Sequence, residues 1–585
     1  MTDTTLEAPE PLAEEGEESL AHRRLTMFVL TGGTMVALGL LMTQVMGGRG
    51  WTVASAAFLV LFLAGLPWTL LGFWNSVIGF IIMRLARDPV AYTNPAMTST
   101  PLNGPITART AICLCVRHED VRSVFGRLAV MADAVAASEW QDRFDFHVLS
   151  DSARPEIAEA EESAFSALKT RYTREGFLHY RRRAVNTGYK AGNLTEFARR
   201  ARGSYHHMIV LDADSLMSAE AMFRLVRAMQ ANPRLGILQT LVVGRPSDSA
   251  FTRIFQFGMR QSMRVHTIGA AWWQGSSGPY WGHNAIIRIA PFVEHCDIPD
   301  LPGKPPLGGP VLSHDQVEAA LMRAGGYEVR VIADEFESWE ENPPSLPDFI
   351  KRDLRWCQGN MQYVKLLGRI SLRPMGYFQL ANAIMMYLGA VFGVLMLFAG
   401  ISMILDPEHG FATTRLAFGL YFGMIALGFA PHFLGTLDIV LRGEARLYGG
   451  IFRLAGSAVF DVLFSFLLGP VMMIAQALFV VGLIFGRRVT WDSQNRRERA
   501  VPFAEAARGL WPQFLFACGV AGIMAVEAPG ILPWAAPTIL PGLLAVPFTS
   551  LTSGAFMGRL LTRPRLCAIP DEFAPSPTLK RLDEA

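Results

Sequence analysis

His207-Met-Ile-Val-Leu-Asp-Ala-Asp214 decides how this chain is organised: an apolar run from Met208 to Leu211 ends abruptly in two carboxylates two positions apart. A short apolar run closed by acids reads as a buried strand whose carboxyl end opens on a site. Two upstream segments repeat the pattern. Thr110-Ala-Ile-Cys-Leu-Cys-Val116 gives way to Arg117-His-Glu-Asp120 and a helical periodicity, and Phe144-Asp-Phe-His-Val-Leu149 ends in Ser150-Asp-Ser152. Strands separated by helix-length segments predict an open α/β sheet. In such sheets ligands sit beyond the carboxyl ends of the strands, so the acids at those ends converge.

Outward from this core, the polar stretch extends over residues 88–372 and is flanked on both sides by membrane-length apolar sequence. The chain has 585 residues, 51% of them hydrophobic and only 18% charged, which fits a membrane protein carrying a folded polar module. A net charge of +2 without a basic tract leaves a nucleic-acid role unsupported. The six cysteines have no metal-ligand spacing and are expected as buried thiols. The first twenty residues are acidic, and the apolar run starts only after Arg23-Arg24, unlike a cleavable signal.

Apolar runs at Leu25–Met46 and Trp51–Met83 read as two spans. Arg23, Arg24, Arg84 and Arg87 lie at their outer ends against a lone Arg49 between them, which places the polar stretch and the N-terminus in the cytoplasm. Further runs follow at Phe378–Leu405, Leu416–Val440, Leu510–Val526 and Ile531–Ser553. The run Leu454–Phe485 is long for one span and short for two, with basic residues on both flanks. A tight hairpin turning at Gly469-Pro470 satisfies those flanks, as does an interfacial helix followed by one span; the hairpin gives about eight spans with both termini inside. Asp461, within this run, suits either a polymer path or an interfacial position. The tail after Leu566 is short, Pro-rich and expected to be disordered.

The residue types in the polar stretch suit a nucleoside diphosphate, which carboxylates approach only through a hard cation such as Mg²⁺ or Mn²⁺. Asp212 and Asp214 project to one side of an extended strand and form a candidate ligand pair. Alone, D-x-D is common in loops; the preceding apolar strand gives it weight. Asp315, in Leu312-Ser-His-Asp-Gln316, opens an amphipathic pattern. It suits a helix N-terminal carboxylate and equally a general base for an acceptor hydroxyl. Arg352-Asp-Leu-Arg-Trp356 reads as helical, with Arg352 and Arg355 on one face. It is either a basic juxtamembrane face or a phosphate grip beside an indole platform for a sugar ring.

In this order the motifs resemble those of processive membrane-embedded family-2 glycosyltransferases of the GT-A fold: D, D-x-D, T/E-E-D and Q-x-x-R-W. Asn186-Thr-Gly-Tyr-Lys-Ala-Gly-Asn193, Tyr280-Trp-Gly-His-Asn-Ala-Ile-Ile-Arg288, Leu312 to Met322 and Lys351 to Asn360 resemble more closely the branch that builds osmoregulated periplasmic glucans. The resemblance covers about residues 20–560. It implies that Glu119 and Asp151 contact the uridine end of UDP-glucose, that Lys190 meets the diphosphate, and that Asp212 and Asp214 hold the metal. It further implies that Gly282, His283 and Asn284 border the acceptor, that Asp315 is the base, and that Arg355 with Trp356 binds pyrophosphate and acceptor sugar. Two positions depart from the wider pattern: His314 replaces an acid before the base, and Arg352, taken here as nucleotide-sugar-binding, stands where the wider family has Gln.

The resemblance implies an α/β GT-A-type cytosolic domain inserted into an α-helical polytopic membrane domain of the bacterial inner membrane. The expected layout is an acidic tail (1–24), two spans (25–87), the catalytic domain (88–372), a C-terminal membrane region (373–558) with a cytosolic loop (486–508), and a cytosolic tail (559–585). The implied activity is inverting, processive transfer from UDP-glucose into a β-1,2-linked glucan, with a related β-glucan or cellulose-type synthase of different linkage as the alternative. Implied partners are the growing glucan, membrane lipid, acyl carrier protein and periplasmic glucan-processing proteins. A transporter that only senses nucleotide sugars is disfavoured by Asp315 and the Trp356 segment.

Overall fold

The apolar runs that end in acids form adjacent parallel strands. The structure, a computed structural model, describes residues 17–584 apart from 99, 101–102, 407, 409–413 and 490–497. Most of the acidic N-terminal tail, part of the turn after Leu405 and the middle of the 486–508 loop therefore lie outside the described residues. In chain order the principal elements are α1 (Glu17–Gly47), α2 (Val53–Leu85), β1 (Thr110–Val116), α3 (Val121–Ala136), β2 (Phe144–Ser150), β3 (Leu178–Arg182), α4 (Tyr189–Ala201) and β4 (His207–Asp212). Next come β5 (Leu216–Met217), β6 (Leu235–Thr240), β7 (Val243–Gly244), α5 (Ala250–Gln274), β8 (Ala285–Arg288), α6 (Asp315–Ala324), β9 (Glu328–Ile332), β10 (Ser338–Glu340) and α7 (Leu346–Leu366). The chain ends with α8 (Pro374–Ile404), α9 (Arg415–Leu441), α10 (Ile451–Ile484), α11 (Phe503–Glu527), α12 (Leu532–Ser553) and α13 (Pro577–Glu584).

The main sheet has the order β3-β2-β1-β4-β8-β6-β9. β1 pairs in parallel with β2 and β4, whereas β8 runs antiparallel between β4 and β6. All of β1 except Cys115 is buried, as expected of a parallel strand covered on both faces. The chain leaves β1 toward β2 and β3 on one side and returns to β4 on the other, so a crevice opens beyond the ends of β1 and β4. A second sheet, β5-β10-β7, brings the segment after Ser338 beside the Asp212–Asp214 turn.

Among the described residues seven helices, α1, α2 and α8 to α12, are long and apolar enough to cross a membrane, against the eight expected spans. The difference lies in the 454–485 run. Gly469-Pro470 makes no hairpin there: α10 runs through it as one helix of 34 residues. A Gly-Pro pair that ends a helix in water is tolerated inside one in apolar surroundings, where abandoning the helix would strand backbone polar groups. Both parts of α10 dock on the α/β module. Phe464 packs against Phe251 of α5 with ring centroids 5.2 Å apart, and Gln476 donates to Asp353 Oδ2 of α7 at 2.8 Å. Just past its end, Val489 N donates to Gln358 Oε1 at 2.9 Å. Asp461 is buried rather than lining a path; it accepts from Gln261 Nε2 at 2.5 Å and pairs with His432 Nδ1 at 2.6 Å, joining α10 to α5 and α9.

α5 is where the module meets the apolar helices. A Cβ on Gly79 would lie 1.8 Å from Val265 O, and one on Gly269 would lie 1.8 Å from Asn75 O, so α2 and α5 cross backbone to backbone. At the start of the chain, Arg24 donates to Trp273 O (3.3 Å) and Gln274 O (3.0 Å), carbonyls of the last turn of α5, where a cation also suits the helix dipole. The far end of the chain reaches the same helix. Asp571 pairs with Arg260, and Glu572 with Arg253 at 2.7 Å. Leu579 of α13 is buried in the core beside α3, so the tail expected to be disordered is folded onto the module. Buried Arg253, whose acid is Glu572, and Arg260, shared between Asp571 and Glu335, give the tail its charged anchors.

Candidate active site

A cavity of about 440 Å³ occupies the crevice beyond β1 and β4. Glu119, Asp151, Lys190, Asp212, Gly282, His283, Asp315, Arg355 and Trp356 all line it, so residues from widely separated segments converge there. Met386 and Tyr387 of α8 complete the wall nearest the apolar helices. Asp214, Asn284 and Arg352 do not line this cavity.

On one side the chemistry is built from ion pairs. Lys190 donates to Asp212 and to Gly282 O, the latter at 2.7 Å. Burial works against the Lys190 charge, but Asp212 outweighs it and holds the ammonium above its ordinary pKa. Asp151 is gripped by Arg183 through Nε at 2.7 Å and Nη2 at 2.8 Å, a bidentate pair with both side chains buried. Arg183 also donates to Thr187 O and Tyr189 O, and so shapes the loop that presents Lys190. Its only sequence signal was its place in Arg181-Arg-Arg183, just ahead of the Asn186–Asn193 phrase.

The Asp212–Asp214 turn is clamped from behind. Asp212 N donates to Ser215 Oγ at 2.9 Å, while Arg127 Nη2 donates to Ala213 O at 2.7 Å. Asp214 is buried, and its Oδ2 accepts from Glu341 N at 3.2 Å. Glu341 pairs in turn with Arg127 at 2.9 Å and Arg245 at 3.2 Å. Arg127, on α3, resembled an ordinary helix residue in the sequence, and only the tertiary fold reveals its part. Among the described residues no group of three or more His, Cys, Asp or Glu side chains could hold a metal alone. Asp212, about a third exposed (34%), is the carboxylate of the pair that faces the cavity. Such a donor set fits a hard divalent cation that takes its other positions from diphosphate oxygens and water.

On the other side the groups sit on helix ends. Asp315 is the first residue of α6, and a Cβ on Gly282 would lie 3.4 Å from Asp315 Cβ. Gly282 also has φ +86°, so both its conformation and its neighbour favour glycine. Arg355 and Trp356 project from α7, with the indole half exposed. Arg352 stacks on Trp356 at 4.8 Å and on Phe349 at 5.5 Å, behind the indole instead of in the cavity. Its i,i+4 relation to Trp356 explains this placement, and burial lowers its pKa. Asn284 is likewise interior: its Nδ2 donates to Ser338 Oγ at 2.9 Å and Trp339 O at 3.2 Å, tying β8 to β10.

An open sheet with a carboxylate-rich switch-point crevice, set against a bundle of apolar helices, defines a GT-A-type glycosyltransferase built into a multi-pass membrane protein. Residues 207–429 match the model for "Glycosyl transferase family group 2". Over 614 residues the chain is 33% identical to glucans biosynthesis glucosyltransferase H of Xanthomonas oryzae pv. oryzae, covering 100% of this chain and 94% of that protein. It is 34% identical to the protein of the same name from Pseudomonas entomophila, covering 96% and 70%. The chain belongs to the glucans biosynthesis glucosyltransferase H family. Among solved structures it is similar to a mannosyltransferase from Pyrobaculum calidifontis in complex with GDP-Man and Mn²⁺, at 16% identity and TM-score 0.40, covering 67% of this chain and 98% of that one.

Proposed function

We propose that this protein is an inverting, processive glucosyltransferase that uses UDP-glucose to extend the β-1,2-linked backbone of osmoregulated periplasmic glucans and passes the product across the inner membrane. The observation that carries this reading is the placement of Asp315 across one cavity from Lys190 and Asp212, with Trp356 and α8 on the membrane side. Asp315 takes the proton from the acceptor hydroxyl as that oxygen attacks the anomeric carbon; the bond to UDP breaks and the diphosphate leaves with its electron pair. A single displacement inverts the anomeric centre. Lys190 and Arg355 offset the charge of the leaving diphosphate, while Glu119 and Asp151 border the uridine. Asp212 would hold a divalent cation, Mg²⁺ or Mn²⁺, which neutralises diphosphate charge; Asp214 orders the turn that presents it. Trp356 supplies the platform for the acceptor sugar, steadied by Arg352 behind it.

The route out is supported by a second cavity of about 480 Å³ lined by α2, α5, α8 and α9, which shares Trp281, Gln316 and Met386 with the first. Sidedness follows from parity. Arg24 at one end of the chain and Asp571 at the other both dock on α5, so the chain crosses the membrane an even number of times. One of the seven apolar helices therefore does not cross. We read α10, docked on the module by both its parts, as lying within the apolar cytosolic leaflet without crossing, which leaves six crossings with both termini inside. Purified protein supplied with radiolabelled UDP-glucose and Mg²⁺ tests the reading: linkage analysis should return 1,2-linked glucan, and a 1,4-linked product would overturn it.

A further inference from the structure

Beside the proposed base lies a buried charged pair that the transfer chemistry above does not use. His314 precedes α6, lines the cavity and is 7% exposed. Its Nδ1 lies 2.9 Å from Glu318 Oε1, one helical turn on, and the Glu318 side chain is 1% exposed. A carboxylate this deep is costly without a cation beside it, and no lysine or arginine is paired with Glu318 among the described residues. The two stand at ion-pair distance without hydrogen-bond geometry, and with Nδ1 on the Glu318 side the nitrogen left for the cavity is Nε2.

We propose that His314, held as a cation by Glu318, is an acceptor-positioning group. It donates Nε2–H to an oxygen of the sugar whose hydroxyl Asp315 deprotonates, and Glu318 is the residue that orients and charges it. The assignment rests on the glucosyl transfer proposed above. No proton leaves His314 in the reaction: the hydroxyl proton goes to Asp315 and the electron pair of the broken bond to UDP. His314 instead fixes the sugar so that one hydroxyl addresses the anomeric carbon, the kind of placement on which reaction rate depends steeply. The departure from the family pattern then has a physical reading, since an acid in place of His314 would face Asp315 and Glu318 with like charge.

The surroundings agree with a charged ring. Burial alone would lower its pKa, but Glu318 first and Asp315 next raise it above the ordinary histidine value, with Lys190 opposing. The buried hydroxyls of Tyr280 and Tyr363 and the Cys296 thiol complete the titratable groups around the pair, and burial pushes all three well above their usual pKa. Activity that requires the cation is present below the His314 pKa and lost as pH rises through it.

The test is a pH profile of kcat/KM for glucan extension by the full-length protein in detergent, with UDP-glucose saturating and a short β-glucan as acceptor. His314→Gln should lower kcat/KM for acceptor by about ten- to hundred-fold, the worth of a charged hydrogen bond, and abolish the alkaline limb. Glu318→Gln should move that limb to lower pH while UDP affinity is unchanged. The double variant His314→Gln/Glu318→Gln removes both charges without leaving one unpaired; it keeps a folded protein measurable and should match His314→Gln. An alkaline limb that stays in place in Glu318→Gln and in the double variant overturns the proposal. If Asp315→Asn retains synthesis, the underlying transfer reading fails instead, so the two failures are separable.

Discussion

The two walls of the active cavity are built on different principles. The donor wall is a lattice of ion pairs, Arg183 on Asp151, Lys190 on Asp212 and Arg127 behind the Asp212–Asp214 turn. The acceptor wall is made of helix ends and stacked rings, with Asp315 opening α6 and Arg352 backing Trp356. A nucleoside diphosphate is a fixed, highly charged ligand, so electrostatic preorganisation suits it. On the proposed reading a growing polymer slides after each addition, and flat apolar contact lets it do so where a lattice of salt bridges would hold it.

The contrast can be broken most severely at the base. Asp315→Asn should reduce glucan synthesis by about 10²–10⁴-fold and leave UDP-glucose binding largely intact; radiolabel incorporation alongside titration calorimetry separates the two. On the opposite wall, Arg183→Ala strands a buried carboxylate and should cost about 3–5 kcal/mol of stability, read by denaturant or thermal unfolding of the purified protein. Arg183→Lys should fail to restore it, because a point charge does not replace the two-pronged grip on Asp151. Lys190→Met is expected to weaken UDP binding by about ten-fold or more while acceptor KM holds steady. The smallest effect belongs to Arg352→Ala. Loss of the stack on Trp356, worth about 0.5–2 kcal/mol, should raise acceptor KM several-fold with no change in UDP affinity. If Arg352→Ala instead impaired donor binding, the division between the walls would not hold.

The acceptor and donor carboxylates were legible in the sequence because parallel strands buried on both faces leave continuous apolar runs, and each run stops where the site begins. Asp151 and Asp212 could be placed on that basis, and Asp315 by the amphipathic helical pattern it opens. Arg127, Arg183 and Glu341 could not: they act through partners far away in sequence, and nothing local separates a clamping arginine from a solvated one. That Arg352 and Asn284 lie outside the cavity lining was hidden for a related reason. A motif gives the order of residues, but the helix phase and the left-handed backbone at Asn284 (φ +50°) decide which side chains face the cavity. Gly469-Pro470 misled in the opposite direction, because its turn-forming chemistry is overridden where no water can satisfy a broken helix.

The docking of the C-terminal tail on α5 also dates the completion of the molecule. Arg260 leaves the ribosome 311 residues before its partner Asp571, and every helix from α8 to α12 must be made and inserted in between. During that interval Arg253 lacks Glu572, and Arg260 has Glu335 but not Asp571, so the charge buried on this part of α5 is only partly matched. Arrival of the last residues is thus the closing stitch of biogenesis. A chain cut short before Asp571 would carry every proposed site residue and yet leave Arg253 buried without its acid.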